Sequence, residues 1–204
     1  MQKFAGAMSS PTLPELYKKL VVHWSPADVL SHPSETNYSV SYLMSRFSYL
    51  SVIEQQMATD YLSYLPNDIL VKVDRASMGT SLETRTPFLD HDLIQYVWSL
   101  PLSYKVEAGH SKRLLKDILG RYVPSSLFER PKKGFGVPLG DWMKSDLKEW
   151  TLDLLSEENL NRRHIYNTKS VRSKLIQHLN DESEWHYHLW DIMVFEQWCR
   201  HYGF

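Results

Sequence analysis

Apolar residues recur at intervals of three or four positions in most segments of this chain, and prolines and glycines separate those segments. This spacing places side chains on one face of an α-helix, whereas a half-buried strand alternates polar and apolar residues. The only strand candidate is short and lies around Tyr104 to Glu107. The sequence therefore predicts a mainly α-helical fold with at most a short hairpin.

The boundaries of the helices are predicted from capping residues, prolines and glycines. Leu82 to Leu89 is predicted to be extended, because Pro87 disfavours a helical Thr86. The predicted helices are Pro14 to Trp24, Ser45 to Leu65 before Pro66, a helix capped by Asn67 or Asp68 and ended by Gly79, one capped by Asp90 and ended by Pro101, one capped by Ser111 and ended by Pro124, then Pro138 to Leu155, Ser170 to Leu179 and Ser183 to Tyr202.

Length and composition favour one folded domain over residues 1–204, because 43% of the residues are hydrophobic. The formal net charge of −1 gives no electrostatic reason to expect a nucleic-acid or membrane partner. No apolar run reaches the length of about 20 residues that a membrane span needs. The single cysteine, Cys199, fits a reducing compartment, so a cytoplasmic location is expected.

Three motifs stand close together in the middle of the chain. Val73 to Met78 reads VDRASM, Leu82 to Asp90 reads LETRTPFLD, and Arg130 to Trp142 reads RPKKGFGVPLGDW. Together they resemble the synthetase domain of glutamine-dependent asparagine synthetases, with the closest likeness to the bacterial branch. The resemblance extends over most of the chain and weakens before about Ser45 and after about Ser156. It implies the helical C-terminal portion of an adenine-nucleotide alpha-hydrolase-like (ATP pyrophosphatase) α/β synthetase domain.

Two features of that family are not found in this sequence. The family begins with a nucleophilic cysteine that serves a glutaminase domain, whereas this chain begins Met1, Gln2, Lys3. The family also has a glycine-rich loop that grips the ATP phosphates, and such loops need glycine because a Cβ would block the approach of the backbone. We therefore expect this chain alone to bind no ATP, to hydrolyse no glutamine and to exchange no pyrophosphate into ATP.

The resemblance implies the partners and cofactors of a complete enzyme. ATP and Mg²⁺ would serve that enzyme, and the missing partners would be the glutaminase and ATP-binding segments, in the same longer chain or in a split subunit. A homodimer is also left open. The acceptor carboxylate stays undecided between aspartate, a sugar acid and another acid. The alternative hypothesis is a noncatalytic helical subunit that binds a protein partner.

The basic loop Arg130, Lys132 and Lys133 is the strongest candidate for chemistry. In the family pattern R-x-K the matching lysine is Lys132, and the resemblance implies that it contacts the departing pyrophosphate or the tetrahedral oxyanion. Arg130 is assigned to pyrophosphate or substrate binding. Lys133 falls at a variable family position. From the residues alone, a solvated basic loop explains all three.

Two further polar residues are weaker candidates. Asp68 is a candidate carboxylate near the carbon that ammonia attacks, although capping of a helix is the simpler interpretation. Lys112 matches a basic family position before Leu114 and Leu115 and is a candidate phosphate contact. A solvated helix face explains Lys112 equally well.

The segment from Leu82 to Asp90 is interpreted as architectural. Glu83 and Arg85 are two positions apart on an extended segment, so their side chains lie on the same side and can pair or engage neighbouring helices. Phe88 and Leu89 are expected to be buried anchors, and Asp90 to cap the next helix. The motif would position the site without touching substrate.

No metal site is predicted. His186 and His188 are two positions apart in a helix and point to different sides, unlike the i, i+4 pair of a zinc site. Cys199 stands among aromatic residues and is expected to be a buried thiol and not a nucleophile.

Overall fold

The computed structural model describes residues 9–34, 40–107, 110–131 and 136–204. The chain forms two compact units, one of residues 46–134 and one of residues 1–45 together with residues 135–204. We call the first the central unit and the second the terminal unit. That residues 1–204 fold as a single domain stays a prediction.

Helices dominate both units. In chain order the α-helices are α1 (Leu13–Val21), α2 (Pro26–Val29), α3 (Val40–Arg46), α4 (Val52–Leu62), α5 (Val71–Met78), α6 (His91–Ser99), α7 (Leu102–Lys105), α8 (Arg113–Leu119), α9 (Leu139–Lys144), α10 (Lys148–Leu154), α11 (Glu157–Arg162), α12 (Thr168–Leu179) and α13 (His186–Tyr202). A π-helical turn spans Leu65–Leu70, and 3₁₀ turns span Pro87–Leu89 and Ser125–Leu127. Strands β1 (Val106–Glu107) and β2 (His110–Ser111) pair antiparallel, with Val106 opposite Ser111. The predicted helical fold with one short hairpin is confirmed.

The predicted helix from Ser45 to Leu65 is wrong at its start. Helix α3 ends at Arg46, and α4 begins only after Ser51. Ser51 and Glu54 form a capping box, in which the Ser51 hydroxyl accepts the Glu54 N–H and the Glu54 carboxylate accepts the Ser51 N–H. The Ser51 hydroxyl also donates a hydrogen bond of 2.6 Å to the Glu54 carboxylate, and this bond, together with the one from the Ser51 N–H, lowers the pKa of Glu54.

The predicted stop at Pro66 and the predicted cap at Asn67 or Asp68 are also wrong. The chain continues through the π-helical turn Leu65–Leu70 directly into α5. Pro66 has no N–H and would crowd the carbonyl four residues earlier, and the wider π turn relieves that clash. Asp68 therefore lies inside a helical segment and cannot act as its cap.

Several other boundaries also differ from the prediction: for example, the first helix ends at Val21 and not near Trp24, and Pro87–Leu89 forms a 3₁₀ turn in place of an extended segment. Ser111 belongs to β2, and the N-cap position of α8 is Lys112, whose side chain makes no capping hydrogen bond. The predicted helix from Pro138 to Leu155 is interrupted between α9 and α10. There the Ser145 hydroxyl donates a hydrogen bond of 2.7 Å to the Asp141 carbonyl, a local alternative to helix continuation.

The hydrophobic core of the described residues lies in the terminal unit. Helix α13 packs against α9, α10 and α12. The core consists of apolar side chains from α9 to α13 and the segments that join them, together with one tryptophan of the N-terminal segment: Trp24, Leu139, Met143, Leu154, Leu155, Leu160, Tyr166, Val171, Leu175, Leu189, Ile192 and Met193.

Trp24 attaches the N-terminal segment to this core. Its indole N–H donates a hydrogen bond of 2.6 Å to the His188 carbonyl. The Lys174 ammonium lies 5.2 Å from the centre of the Trp24 ring and 5.1 Å from that of Trp185. A cation between two indole rings is attracted electrostatically to both, so Lys174 links the two tryptophans.

A buried carboxylate fixes α13 within the terminal unit. Glu196 is fully buried, and it accepts hydrogen bonds from Asn159 at 3.0 Å, Arg163 at 3.1 Å and Tyr166 at 2.8 Å. Burial and the bond to Glu196 raise the pKa of the Tyr166 hydroxyl, so it stays protonated and continues to donate. A buried charge is tolerated only with such partners.

His178 is the second buried polar side chain of interest. It is 1% exposed, and within the described part of the chain neither ring nitrogen makes a well-formed hydrogen bond, although the backbone of Gly140 and Ser183 interacts weakly with the ring. Burial lowers the pKa of His178, and the positive charges of Lys144 and His186 act in the same direction. The ring is therefore neutral in the folded protein near neutral pH.

We expect the terminal unit to lose stability as the pH falls below about 6.5, the ordinary pKa of histidine. The unfolded chain then binds a proton at His178 that the folded chain still excludes, so the free energy of unfolding falls by up to about 1.4 kcal/mol per pH unit. The loss should end at the pKa of the folded state. Urea unfolding between pH 8 and pH 5 measures it, and tryptophan fluorescence reports this unit because six of the seven tryptophans lie there.

The variant His178→Gln should have a shallower dependence of stability on pH over this interval. His32→Gln is the control, because His32 is exposed. An unchanged pH dependence in His178→Gln would contradict the assignment to His178.

Candidate functional site

The candidates for chemistry belong to the central unit, and each one that the structure describes is exposed to solvent or partly so. Cys199, in the terminal unit, is buried, as expected. Lys132 and Lys133 lie outside the described residues. Asp68 and Arg130 are described and have no hydrogen bond or ion pair to another of the candidates in the described ranges. Lys112 likewise contacts no other candidate there. The structure brings together one predicted pair, Glu83 and Arg85.

Asp68 lies in the π-helical turn and pairs along the helix. Its carboxylate is 3.2 Å from the Lys72 ammonium, four residues later, and is 47% exposed. Such an exposed i, i+4 pair contributes about 0.3–0.5 kcal/mol. Asp68 therefore has a weak partner that a ligand can displace.

Glu83 and Arg85 form an ion pair of 2.9 Å. Both side chains project from the extended segment into solvent. The predicted pairing is confirmed. The expected burial of Phe88 is wrong, because Phe88 is 62% exposed.

Asp90 caps α6, as predicted. Its carboxylate accepts hydrogen bonds from the N–H groups of Asp92 at 3.1 Å and Leu93 at 3.0 Å. The adjacent 3₁₀ turn, Pro87–Leu89, leads into this cap. The LETRTPFLD motif thus has a defined local structure of extended segment, single turn and capped helix.

Lys112 has an unusual backbone conformation at the start of α8. Its φ of 59° and ψ of 34° are left-handed, which is uncommon for a residue with a Cβ. The next residue, Arg113, anchors the helix through Glu107 and the Ser103 carbonyl. The sequence analysis did not identify Arg113, which begins α8 and pairs with Glu107 of β1.

Several cations of this region have no carboxylate partner among the described residues. Lys112 and Lys116 stand one turn apart on α8, and Arg121 and Arg130 follow the helix; none of the four has an ion pair there. Arg85, Arg113 and Lys72 are all paired. The unpaired cations are those that an anionic ligand can bind without breaking an existing ion pair.

A shallow groove of about 340 Å³ also lies in the central unit. Aromatic and aliphatic side chains form most of its wall, and Asp60 and Lys105 are its charged residues. Lys105 donates a hydrogen bond to the Trp98 carbonyl at 3.4 Å and lies 5.3 Å from the centre of the Trp98 ring. The sequence analysis treated the groove residues Met57, Tyr61 and Tyr64 as an ordinary inward helical face.

Comparison with known proteins identifies the family. The sequence model of the family described as asparagine synthase matches residues 3–200. The chain belongs to the asparagine synthase family. The described helices are the helical portion of the adenine-nucleotide alpha-hydrolase-like synthetase class, as the sequence analysis expected.

Curated relatives agree with this assignment. Asparagine synthetase [glutamine-hydrolyzing] 1 of Bacillus subtilis (strain 168) is 30% identical over 89% of this chain and 27% of its own length. Asparagine synthetase [glutamine-hydrolyzing] 3 of the same organism is 30% identical over 56% of this chain and 18% of its own length. The human asparagine synthetase [glutamine-hydrolyzing] is 26% identical over 59% of this chain and 24% of its own length. The chain thus spans about a quarter of the length of such relatives.

The remaining comparisons limit what the described residues contain. No solved structure matches the chain. Within the described ranges, no helix combines the length and the apolar character needed to cross a bilayer. The same ranges contain no group of three or more His, Cys, Asp or Glu side chains arranged to hold a metal ion.

We expect Asp90→Ala to destabilise α6 by about 0.5–2 kcal/mol, because two N–H groups of its first turn lose their acceptor. Amide hydrogen exchange at Leu93, whose N–H is bonded to Asp90, measures the effect directly. Asp90→Ser should retain most of the protection. Asp92→Ala is the control, because the exposed Asp92 side chain makes no capping bond, and equal loss of protection in both variants would contradict the cap.

Proposed function

We propose that this chain is part of an ATP-dependent amidotransferase of the asparagine synthase type. A carboxylate oxygen of aspartate or a related acid attacks the α-phosphorus of ATP, and pyrophosphate leaves. Ammonia derived from glutamine then attacks the acyl carbon, AMP leaves, and the nitrogen loses its extra proton to form the amide. The observation that carries the proposal is the family match over residues 3–200.

The unpaired cations of the central unit support a role beside the departing pyrophosphate. Lys112 and Lys116 are free of carboxylates within the described residues, and ammonium groups suit phosphate oxygens. We assign Lys132 to the charge that develops during adenylation, with Arg130 and Lys112 as further contacts. Asp68 is proposed to lie near the carbon that ammonia attacks.

ATP and Mg²⁺ would be the cofactors of the complete enzyme. The exposed Lys112, at the N-cap of α8, and the half-buried Lys116, on α8, fit a phosphate chain. The described residues offer no carboxylate cluster for Mg²⁺, so we assign the metal to the ATP phosphates and to other segments of the enzyme. Bound Mg²⁺ would neutralise charge on those phosphates.

The exposed apolar surface of the central unit supports the proposal that it packs against an ATP-binding segment. Among its described residues only Ala58 and Thr59 are buried. Met78, Leu82 and Phe88, beside and within the two motifs, are 52% to 62% exposed. An apolar surface of this kind is typical of an interface. A glutaminase segment would be the further partner that supplies ammonia.

The same surface favours one other function. A noncatalytic helical subunit would also present exposed apolar side chains to a partner protein. The two functions differ in chemistry, because only the amidotransferase consumes ATP. Exchange of labelled pyrophosphate into ATP therefore distinguishes them.

We expect the natural full-length enzyme, or this chain reconstituted with an ATP-binding partner, to exchange labelled pyrophosphate into ATP only when an acceptor carboxylate is present. The 204-residue chain alone should show no exchange. Aspartate is tested first and sugar acids second. Asparagine is the control, because it lacks the reacting side-chain carboxylate. Exchange by the chain alone would refute the proposal that ATP binds to another segment of the enzyme. No exchange by the complete enzyme with any acid would favour the noncatalytic subunit.

In the complete enzyme, we expect Lys132→Ala to lower turnover by on the order of 10²-fold or more, the usual effect of removing one preorganised donor. The affinity for ATP in the ground state should change less, because Lys132 acts on charge that develops in the reaction. Pyrophosphate-exchange kinetics and ATP titration measure the two effects separately.

Two variants control for this experiment. Lys133→Ala should remain close to wild type, and Lys132→Arg should not restore full turnover, because a planar guanidinium places its charge differently from an ammonium. Equal and mild effects at both lysines would make the loop an ordinary solvated basic segment.

A further inference from the structure

Helix α13 has a second apolar face, which the core of the terminal unit does not cover. Its covered face carries Leu189, Ile192 and Met193, which are 0% to 4% exposed, whereas Phe195 and Trp198 on the outward side are 43% and 47% exposed. These two aromatic side chains form part of the wall of an open cavity of about 490 Å³. The cavity belongs to the terminal unit, so it uses none of the residues proposed for the amidotransferase reaction.

Three stacked aromatic rings line this cavity. The centre of the Trp198 ring lies 6.1 Å from that of Phe195, with an angle of 24° between the ring planes. On the C-terminal side, Phe204 lies 5.1 Å from Trp198 at an angle of 15°. Aromatic pairs at such separations stabilise each other beyond the area that they bury. The cavity therefore has a continuous aromatic wall, and Ile165 adds a further apolar side chain to its lining.

The turn that ends α13 holds Phe204 against Trp198. Gly203 has a left-handed backbone with a φ of 74°, a conformation that a Cβ would strain. The N–H groups of Gly203 and Phe204 both donate hydrogen bonds to the Cys199 carbonyl, which reverses the direction of the chain. The backbone therefore places the third ring, and the aromatic wall does not depend on a bound ligand.

Two arginines also line the cavity, and only one of them has a charge that is available to a ligand. Arg163 donates hydrogen bonds of 3.1 Å and 3.2 Å to the two carboxylate oxygens of Glu196, which neutralises its charge. Arg162 is exposed and has no ion pair within the described ranges. Asp153, whose carboxylate its charge reaches, is already bound by Arg200. The described lining contains no carboxylate, so the cavity has an unbalanced positive charge.

We propose that this cavity binds an aromatic carboxylic acid, with its rings against Phe195, Trp198 and Phe204 and its carboxylate on the Arg162 guanidinium. A guanidinium can donate two parallel hydrogen bonds to one carboxylate. An aromatic ligand also gains ring contacts that an alkyl chain lacks. The volume lies within the range of about 300–1,000 Å³ that is typical of small-molecule sites. An α-amino acid is a poorer match, because its ammonium finds no carboxylate in the described lining.

Calorimetric titration of the 204-residue chain with 1-naphthylacetate tests the proposal. We expect saturable binding of one molecule per chain with a dissociation constant of about 1 mM or lower, as a ligand of this size gives at ordinary efficiency. The neutral 1-naphthylacetamide has the same rings and should bind about 10-fold more weakly, because it forms no charge-assisted pair with Arg162. Decanoate keeps the carboxylate without the rings, and it should also bind more weakly than 1-naphthylacetate.

Variants locate the ligand in the cavity. Arg162→Gln should raise the dissociation constant of 1-naphthylacetate about 10-fold and remove its advantage over the amide. Arg121→Gln is the matched control, because Arg121 is an exposed arginine of the central unit without an ion pair in the described ranges. Gly203→Ala retains every lining side chain but strains the turn, so it should weaken binding as much as Phe204→Ala does. Gly203→Asn should bind nearly as the wild type, because asparagine tolerates a left-handed backbone.

Four outcomes would overturn the proposal. A wild-type chain that shows no saturable binding at millimolar concentrations of 1-naphthylacetate has no such site. Equal affinity for the acid and the amide would remove the role of Arg162, and tighter binding of decanoate would assign the cavity to alkyl chains. Binding that Arg121→Gln weakens and Arg162→Gln does not would place the ligand in the central unit. Circular dichroism of each variant checks that a lost affinity does not arise from unfolding.

Discussion

The buried carboxylate of Glu196 determines how α13 is oriented. Its oxygens are held by Arg163, Tyr166 and Asn159, so the helix cannot rotate without leaving a charge buried and unpaired. Losing one partner of a buried ion pair costs about 3–5 kcal/mol, which is a large fraction of the stability of a domain. The same bonds fix which side of α13 faces the core and which side faces outward. The exposure of Phe195 and Trp198 on the outward side is therefore a consequence of this buried network.

The central unit illustrates a different balance of forces. Its helices begin and end through local signals, such as the capping box of Ser51 and Glu54 and the cap at Asp90. Its apolar side chains are mostly exposed among the described residues, so packing contributes less there than in the terminal unit. The curated relatives are about three times as long as this chain, in keeping with the proposal that further segments of the enzyme cover this surface.

The charges of the central unit divide into two groups with different roles. Arg113 has a structural role, because it connects α8 to the hairpin through Glu107 and donates a hydrogen bond to the Ser103 carbonyl. Lys112, next to it, is held in a left-handed conformation and has no anionic partner in the described ranges. Neighbouring cations can thus differ in availability, and a count of basic residues does not reveal which of them a ligand can bind.

The sequence by itself determined the helical class, the short hairpin, the cap at Asp90 and the family, because each depends on local spacing or on a continuous motif. Only the tertiary structure showed that the helical backbone continues past Pro66, through a π-helical turn in place of the predicted stop. Only the tertiary structure showed that Phe88 is exposed, where a buried anchor was expected. It also decided that α13 has a second apolar face, since periodicity cannot distinguish a helix covered on both sides from one covered on one side. The physical reason is that burial depends on which residues distant in the chain come together, and the local spacing of apolar residues does not specify those partners.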